Sequence, residues 1–225
     1  MTTLTLAPVQ TGLVNPYWDS VRADVTQAER SWDRGLYVGN MDNWTPVAGR
    51  FSHTSEYAWT VTDPATVAFV AEHCGPLAYD PLAGSGYWAY LLGQSGVDVL
   101  TSDLMPPAPD SMNKYHRADT SWVPIVEADA VTACRSWGIG RTLLLSWPPY
   151  SEPIGELIVA AHPGDLIVYI GEGDGGCCGD DGMWELLALD WVEVASHRPV
   201  QWYGMHDWVT VYRRIQRPAL TGGES

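Results

Sequence analysis

Basic residues are scarce in this sequence of 225 residues. Twelve lysines and arginines stand against 27 aspartates and glutamates, which gives a formal net charge of −15. Proteins that bind a nucleic-acid duplex neutralise its phosphates with clustered lysine and arginine side chains, and the only such cluster here is Arg213-Arg214 with Arg217. We therefore expect nucleic acid not to be a partner.

Long apolar runs are missing as well. The longest, such as Leu143–Leu145 and Leu157–Ala161, are far shorter than the roughly 20 residues that cross a bilayer. The opening MTTLTLAPVQ has neither a basic start nor a sustained apolar core, so it does not resemble a secretory signal. We expect a cytoplasmic protein with no membrane partner.

The cysteines also lack the spacing that is typical of metal-binding sites. The four cysteines, at positions 74, 134, 177 and 178, include no C-x-x-C pair. The adjacent Cys177 and Cys178 lack the gap that lets two thiolates reach one zinc ion. We expect no metal site, and structural or incidental thiols that fit a reducing compartment.

Tryptophan, by contrast, is abundant, with 12 residues in the chain. Many of them adjoin glycine or proline instead of following a regular core pattern. We expect most of them to lie in the core and a few to form an aromatic pocket for a flat or cationic ligand.

The N-terminal quarter is predicted to be a helical lead-in. Asp19 is a candidate N-cap, and apolar residues from Val21 to Trp32 follow at helical spacing. A loop rich in glycine, asparagine and proline covers residues 35–50, and Asp63-Pro64 is typical of a new helix start. We expect residues 1–56 to form a lead-in or substrate cap, residues 57–217 the core domain and residues 218–225 a flexible tail.

From Leu77 onward short apolar strands alternate with helices. Such alternation predicts an α/β fold of the Rossmann-like, doubly wound kind, with a mostly parallel seven-stranded sheet and helices on both faces. Ligands of such sheets bind beyond the carboxyl ends of the strands. The candidate strands are Leu77–Asp80, Val97–Ser102 with Asp103 at its end, Val123–Ala128, Thr142–Trp147, Asp165–Ile170, Trp191–Ser196 and Trp208–Arg213.

The most specific segment runs from Leu77 to Asp103. A strand ends at Asp80, the turn Ala83–Gly86 opens a helix, and a second strand ends in Asp103. Glycines let the backbone approach a ligand closely, and an acid about 20 residues further on can hold ribose hydroxyls. The segment therefore predicts a nucleoside-containing cofactor, with a tight strand–helix turn as the purely structural alternative.

This segment resembles motif I of the Rossmann-like, S-adenosylmethionine-dependent methyltransferases. Leu82 stands where their first glycine is usual, and DPLAGSG instead looks like the D-P-x-x-G-S-G form of the amino-methyltransferases. A nicotinamide-binding turn would favour G-x-G-x-x-G, whereas bulky Tyr87-Trp88 follows the turn here. The resemblance implies S-adenosyl-L-methionine as cofactor, with Gly84 and Gly86 at its methionine end and Asp103 on its ribose. The predicted cofactor-binding residues are Asp80, Leu82, Gly84, Gly86, Trp88, Asp103, Asp129, Ser146 and Trp147.

Two acids compete for the adenine contact that the resemblance implies. Asp129 follows the third candidate strand, where the family carries an acid near the adenine amino group. Asp119 is the competing choice, and a solvated loop acid is the alternative for either. We favour Asp129.

A second motif, LLLSWPPY over Leu143–Tyr150, resembles motif IV of the amino-methyltransferases. Prolines stiffen the loop after the strand, so that a polar group and a backbone carbonyl can align the acceptor amine, and the aromatic ring can stack on it. Ser146 lies one position earlier than the family's polar residue. A rigid turn is the structural alternative. The predicted substrate-binding residues are Pro148, Pro149 and Tyr150, and Tyr150 is also a catalytic candidate.

Three further polar residues are candidates for catalysis. Glu172 follows the Ile170 strand end, and His206-Asp207 precedes the last strand. An ammonium group cannot attack until it loses a proton, so a nearby carboxylate or imidazole could act as base. Histidine titrates nearest to neutral pH, which favours His206.

The resemblance covers roughly residues 57–214 and implies an enzyme that transfers a methyl group. Because the chain is acidic, we expect a small-molecule acceptor, methylated at nitrogen. The alternatives are an adenine or cytosine amino-methyltransferase of nucleic acid, a non-catalytic S-adenosylmethionine-binding module, and, third, a nicotinamide-dependent oxidoreductase.

Overall fold

The computed structural model describes residues 12–33, 45–117, 119–202 and 204–216. The predicted tail over residues 218–225 lies outside this part of the chain, as does most of the predicted loop over residues 35–50. The described helices are α1 Pro16–Asp33, α2 Thr45–Glu56, α3 Pro64–Cys74, α4 Tyr87–Gln94, α5 Ala130–Trp137, α6 Ile154–Ala161 and α7 Asp181–Asp190. The described strands are β1 Leu77–Asp80, β2 Asp98–Asp103, β3 Val126–Glu127, β4 Thr142–Ser146, β5 Leu166–Glu172, β6 Trp191–His197 and β7 Asp207–Arg214.

The strands form one sheet in the order β3-β2-β1-β4-β5-β7-β6. Strands β1 to β5 run parallel to one another, and β7 is antiparallel to both β5 and β6. The predicted Rossmann-like α/β fold with a mostly parallel seven-stranded sheet is therefore confirmed.

Two apolar cores lie on the two faces of the sheet. Because side chains alternate along a strand, neighbouring residues of β4 such as Leu143 and Leu144 belong to opposite cores. Helices α1, α3 and α4 cover one face, whereas α5, α6 and α7 cover the other. This two-sided burial explains the continuous apolar runs in the central strands. None of the described helices is long and apolar enough to span a membrane.

Helix α1 begins earlier than its sequence indicates. Asn15, not Asp19, caps it: the Asn15 Oδ1 atom accepts a hydrogen bond of 3.0 Å from the backbone N–H of Trp18. The same amide accepts from the Tyr87 hydroxyl at 2.8 Å and donates to the carbonyl of Thr62 at 2.5 Å. One buried side chain thus caps α1 and links it to α4 and to the segment before α3.

Two helix starts further along the chain also bear on the sequence predictions. Asp63 accepts hydrogen bonds from the backbone N–H groups of Ala65 and Thr66, so the predicted cap of α3 is confirmed. Helix α2 begins at Thr45, so the predicted loop over residues 35–50 is wrong in its last residues.

Replacing Asn15 by alanine should lower the free energy of unfolding by about 2–4 kcal/mol, because the Tyr87 hydroxyl and the Thr62 carbonyl would lose buried partners. Urea denaturation followed by circular dichroism measures this change. Asp19→Ala is the matched control: Asp19 is exposed and pairs only loosely with Arg22 at 3.8 Å, so the loss should stay below about 1 kcal/mol. Equal losses in the two variants would contradict the anchoring role of Asn15.

Candidate functional site

The topology brings the predicted polar residues to one edge of the sheet. Asp80, Asp103, Ser146 and Glu172 are the last residues of the parallel strands β1, β2, β4 and β5. Asp207 begins the antiparallel strand β7 and stands opposite Glu172. This is the carboxyl edge, where ligands of such sheets bind.

The glycine-rich turn after β1 is held against the end of β2. The Asp103 Oδ2 atom accepts a hydrogen bond of 3.0 Å from the backbone N–H of Gly84, and its Oδ1 atom accepts one of 2.9 Å from Met105. Gly86 has φ +77°, and a Cβ there would lie 2.7 Å from Val123 Cγ2. At Gly84, with φ +54°, no atom lies within 4 Å of a built Cβ. The turn therefore needs glycine, and its Gly84 side is open.

Asp80 lies beneath this turn and is almost completely buried. Its carboxyl accepts a hydrogen bond of 3.3 Å from the backbone N–H of Leu82. Burial raises the pKa of Asp80 to about 7, and the neighbouring charge of Asp103 adds to the rise. Asp80 is thus an acid that a nearby cation would convert to its charged form.

The other residues predicted to bind the cofactor lie in different surroundings. Trp88 packs in the core on the α4 side of the sheet. Asp129 is exposed and caps α5, accepting a hydrogen bond of 2.8 Å from the backbone N–H of Thr132. Asp119 is exposed and pairs with Arg117 at 3.0 Å. The assignments of Trp88 and Asp129 to the cofactor stay predictions.

The WPPY loop after β4 is held from two sides. Trp147 has φ +48°, an uncommon value for a residue with a side chain, and its indole N–H donates to the Thr60 hydroxyl at 2.9 Å. The Pro148 carbonyl accepts from the backbone N–H of Gly179 at 2.8 Å, and Pro149 forms an isolated bridge with Cys178. Tyr150, next in the chain, is 65% exposed.

Glu172 is buried but well supplied with donors. Its two carboxylate oxygens accept backbone hydrogen bonds of 2.8 Å from Cys177 and 2.9 Å from His206. Burial alone would raise the pKa of Glu172, but these bonds lower it below its ordinary value. The His206 ring is exposed, and its Nδ1 atom lies 3.7 Å from the same carboxylate. Glu172 is therefore a fixed negative charge at this edge.

Asp207 lies opposite Glu172 on the neighbouring strand and is almost completely buried. Burial raises the pKa of Asp207 to about 7, although the polar groups of Thr60 and Trp147 and the charge of Arg50 oppose the rise. The sequence predicted Asp207 and Trp147 as site residues, but it did not indicate Thr60.

Arg50 on α2 was also missed. It is 5% exposed, and its Nη2 atom donates to the Trp59 carbonyl at 3.3 Å. The Trp59 and Trp147 rings stack with centroids 5.2 Å apart, and the Arg50 guanidinium carbon lies 5.2 Å and 5.1 Å from them. Two of the tryptophans thus stack beside the acidic edge, whereas the aromatic pocket itself stays a prediction; no local motif marks Arg50 or Trp59.

Comparisons with known proteins show likeness in three dimensions alone. No protein-family profile matches the chain, and no curated protein matches it in sequence. A 1,6-didemethyltoxoflavin-N1-methyltransferase from Burkholderia thailandensis, solved with 1,6-didemethyltoxoflavin and S-adenosylhomocysteine, is 19% identical, with a TM-score of 0.42 over 93% of this chain and 95% of that one. The N-methyltransferase NodS from Bradyrhizobium japonicum is 12% identical, with a TM-score of 0.46 over 90% of this chain and 100% of that one. The magnesium protoporphyrin IX methyltransferase from Synechocystis PCC 6803 is 12% identical, with a TM-score of 0.46 over 92% of this chain and 100% of that one.

Asp80 makes a pH-dependent contribution to stability. Its folded-state pKa of about 7 lies above the ordinary value of about 3.9, so the folded state binds more protons and stability falls as pH rises from about 4 to about 7. Asp80→Asn removes this fall. The free energy of unfolding of the variant minus that of the unmutated protein should therefore be about 1–3 kcal/mol larger at pH 8 than at pH 5.

Urea denaturation at both pH values measures the gain. Asp110→Asn, which changes an exposed loop carboxyl, is the control and should leave the difference between the two pH values nearly unchanged. A constant offset between Asp80→Asn and the unmutated protein at all pH values would show that the Asp80 carboxyl titrates normally.

Proposed function

We propose that this chain is an S-adenosylmethionine-dependent methyltransferase that acts on a small-molecule acceptor at nitrogen. The observation that carries the proposal is the contact between Asp103 and Gly84, which joins a buried carboxylate at the end of β2 to an open, left-handed glycine turn after β1. A nucleoside with vicinal hydroxyls fits a carboxylate in this position.

The residues present fit such a cofactor. The Asp103 Oδ2 atom accepts one backbone hydrogen bond, and a carboxylate oxygen has a second lone pair that a ribose hydroxyl can use. No side chain stands over Gly84, so a ligand can lie directly on the backbone there. Asp80 would take up the cationic amino group of the methionine end, because a nearby positive charge stabilises its ionised form.

When bound, S-adenosylmethionine supplies a methyl group activated by a sulfonium. The chain's own contribution at the acceptor end is positioning and charge. Ser146–Tyr150 would align the acceptor, and Asp207 with Glu172 and His206 would receive or relay its proton. Two buried carboxyls at this edge and the net charge of −15 disfavour a polyanionic acceptor, which supports a small molecule.

Calorimetry with S-adenosylhomocysteine tests the cofactor site. The unmutated protein should bind it, and Asp103→Ala should weaken binding by about 1–3 kcal/mol through the loss of charge-assisted hydrogen bonds. The control is Asp98→Ala, at the other end of β2, where the carboxylate pairs with Arg141 at 2.9 Å. It should leave the affinity unchanged. Absence of S-adenosylhomocysteine binding, together with measurable NAD binding, would refute the proposal.

Transfer of a labelled methyl group tests the enzyme itself. S-adenosylmethionine with a labelled methyl is incubated with the protein and a panel of small amines and nitrogen heterocycles, and labelled product is counted. With an acceptor so found, Tyr150→Ala should slow turnover by about 100-fold because positioning is lost, whereas S-adenosylhomocysteine affinity should stay the same. Tyr150→Phe, which keeps the ring, should retain most of the turnover. Full turnover in Tyr150→Ala would remove this residue from the mechanism.

A further inference from the structure

Two buried polar atoms near the WPPY loop lack partners. Among the described residues, neither the Nε atom of Arg50 nor the Oδ1 atom of Asp207 has a hydrogen-bond partner. Both side chains are more than nine-tenths buried, at 5% and 2% exposure. A buried donor or acceptor left unpaired costs about 1–3 kcal/mol, and such groups in folded proteins call for a specific explanation. One free donor and one free acceptor thus stand at the same end of the sheet.

The groups around these two atoms are already engaged. The Tyr17 hydroxyl accepts a hydrogen bond of 2.8 Å from the Trp202 indole. The Glu172 oxygens take the backbone N–H groups of Cys177 and His206. The Trp147 indole N–H donates to the Thr60 hydroxyl at 2.9 Å, and the Oδ1 atom of Asp207 has no hydrogen-bond partner among the described residues. The buried side-chain atoms without a hydrogen-bond partner among the described residues thus include both Arg50 Nε and Asp207 Oδ1.

Flat apolar surface lies beside this pair. Trp59 and Trp147 stack on each other, and each is partly exposed to solvent. The Arg50 guanidinium lies at nearly the same distance from both rings, 5.2 Å and 5.1 Å. A planar ligand can stack on the exposed part of these indoles with its polar edge toward Arg50 and Asp207.

We propose that Arg50, Asp207, Trp59 and Trp147 form the acceptor subsite, and that the acceptor is a neutral, planar nitrogen heterocycle whose ring N–H adjoins a carbonyl, a cyclic amide. This inference rests on the proposed function. The carbonyl oxygen accepts from Arg50 Nε, and the ring N–H donates to Asp207 Oδ1. An anionic acceptor is disfavoured because two carboxyls, Asp207 and Glu172, adjoin the single guanidinium.

The same contacts serve the transfer step. The ring nitrogen would form a bond to the methyl carbon of S-adenosylmethionine, while the bond between that carbon and the sulfonium sulfur breaks and its electron pair stays on sulfur. The proton of the ring N–H would pass to Asp207. As that proton leaves, negative charge spreads to the adjacent carbonyl oxygen, where Arg50 stabilises it. Asp207, with its pKa raised to about 7 by burial, is suited to accept a proton near neutral pH.

Three probes of similar shape test the subsite by calorimetry on protein saturated with S-adenosylhomocysteine. The compound 2-quinolone carries both the N–H and the carbonyl, 1-methyl-2-quinolone lacks the N–H, and quinoline lacks the carbonyl and the N–H. We expect 2-quinolone to bind at least about tenfold more tightly than either of the others, the effect of losing one charge-assisted hydrogen bond. Equal affinities for the three probes would overturn the subsite.

Two substitutions assign the contacts. Arg50→Met, which keeps an unbranched side chain, should weaken the binding of both quinolones about tenfold and leave the affinity for quinoline nearly unchanged. Asp207→Asn should reduce the preference for 2-quinolone over 1-methyl-2-quinolone, because an uncharged amide oxygen accepts a weaker hydrogen bond from the ring N–H than a carboxylate does. Arg141→Met, at the opposite end of the sheet, is the control and should change none of the three affinities.

The outcomes separate this inference from the proposed function. If the unmutated protein does not bind S-adenosylhomocysteine, the proposed function fails. If it binds S-adenosylhomocysteine but the three probes bind alike, only the cyclic-amide subsite fails. If Arg50→Met lowers the melting temperature while the three affinities keep their ratios, Arg50 merely anchors α2 and the subsite is wrong. If that variant does not fold, Arg50→Lys and the probe comparison on the unmutated protein take its place.

Discussion

Burial of four carboxyl groups at one edge of the sheet is the constraint on which the rest of this structure depends. Asp80, Asp103, Glu172 and Asp207 are each less than 10% exposed. Parallel strands bring their carboxyl ends to the same edge, and the antiparallel β7 adds its first residue there. A carboxylate withdrawn from water needs donors or a positive charge, so the turns and helices around this edge are arranged to supply them.

Among Glu172, Asp80 and Asp207, the pKa follows the supply of hydrogen-bond donors, whereas burial raises the pKa of Asp103 despite its two backbone donors. Glu172 receives two short backbone hydrogen bonds and has a lowered pKa. Asp80 receives one long bond, of 3.3 Å, and its pKa rises to about 7. Asp207 keeps one oxygen unpaired, and its pKa rises equally. Of these three acids, Asp80 and Asp207 have the fewest internal donors and therefore gain most from a ligand's donor or cation.

Local patterns were sufficient for most of the sheet and for the glycine turn. Strand β1 has the bounds that its apolar run predicts, and Asp63-Pro64 does begin α3. The order of strand, glycine turn, helix and acid predicted that Gly84 and Asp103 belong to one cofactor site, and the structure joins them by a hydrogen bond of 3.0 Å. These features depend on residues close in sequence, or on the regular crossover between neighbouring parallel strands. At the start of α1 the predicted cap, Asp19, was wrong: Asn15 caps the helix, and its amide also reaches Tyr87 and Thr62.

The sequence by itself thus determined the fold class, the carboxyl edge and the acids that line it. Only the tertiary structure decided which groups face those acids. Arg50 lies in a segment that was predicted as loop, and it meets Trp147 and the charge of Asp207, which are distant from it in the sequence. Hydrophobic period and capping preferences describe one element at a time. The contacts of a buried arginine are set by how separate elements pack, and no local pattern records that.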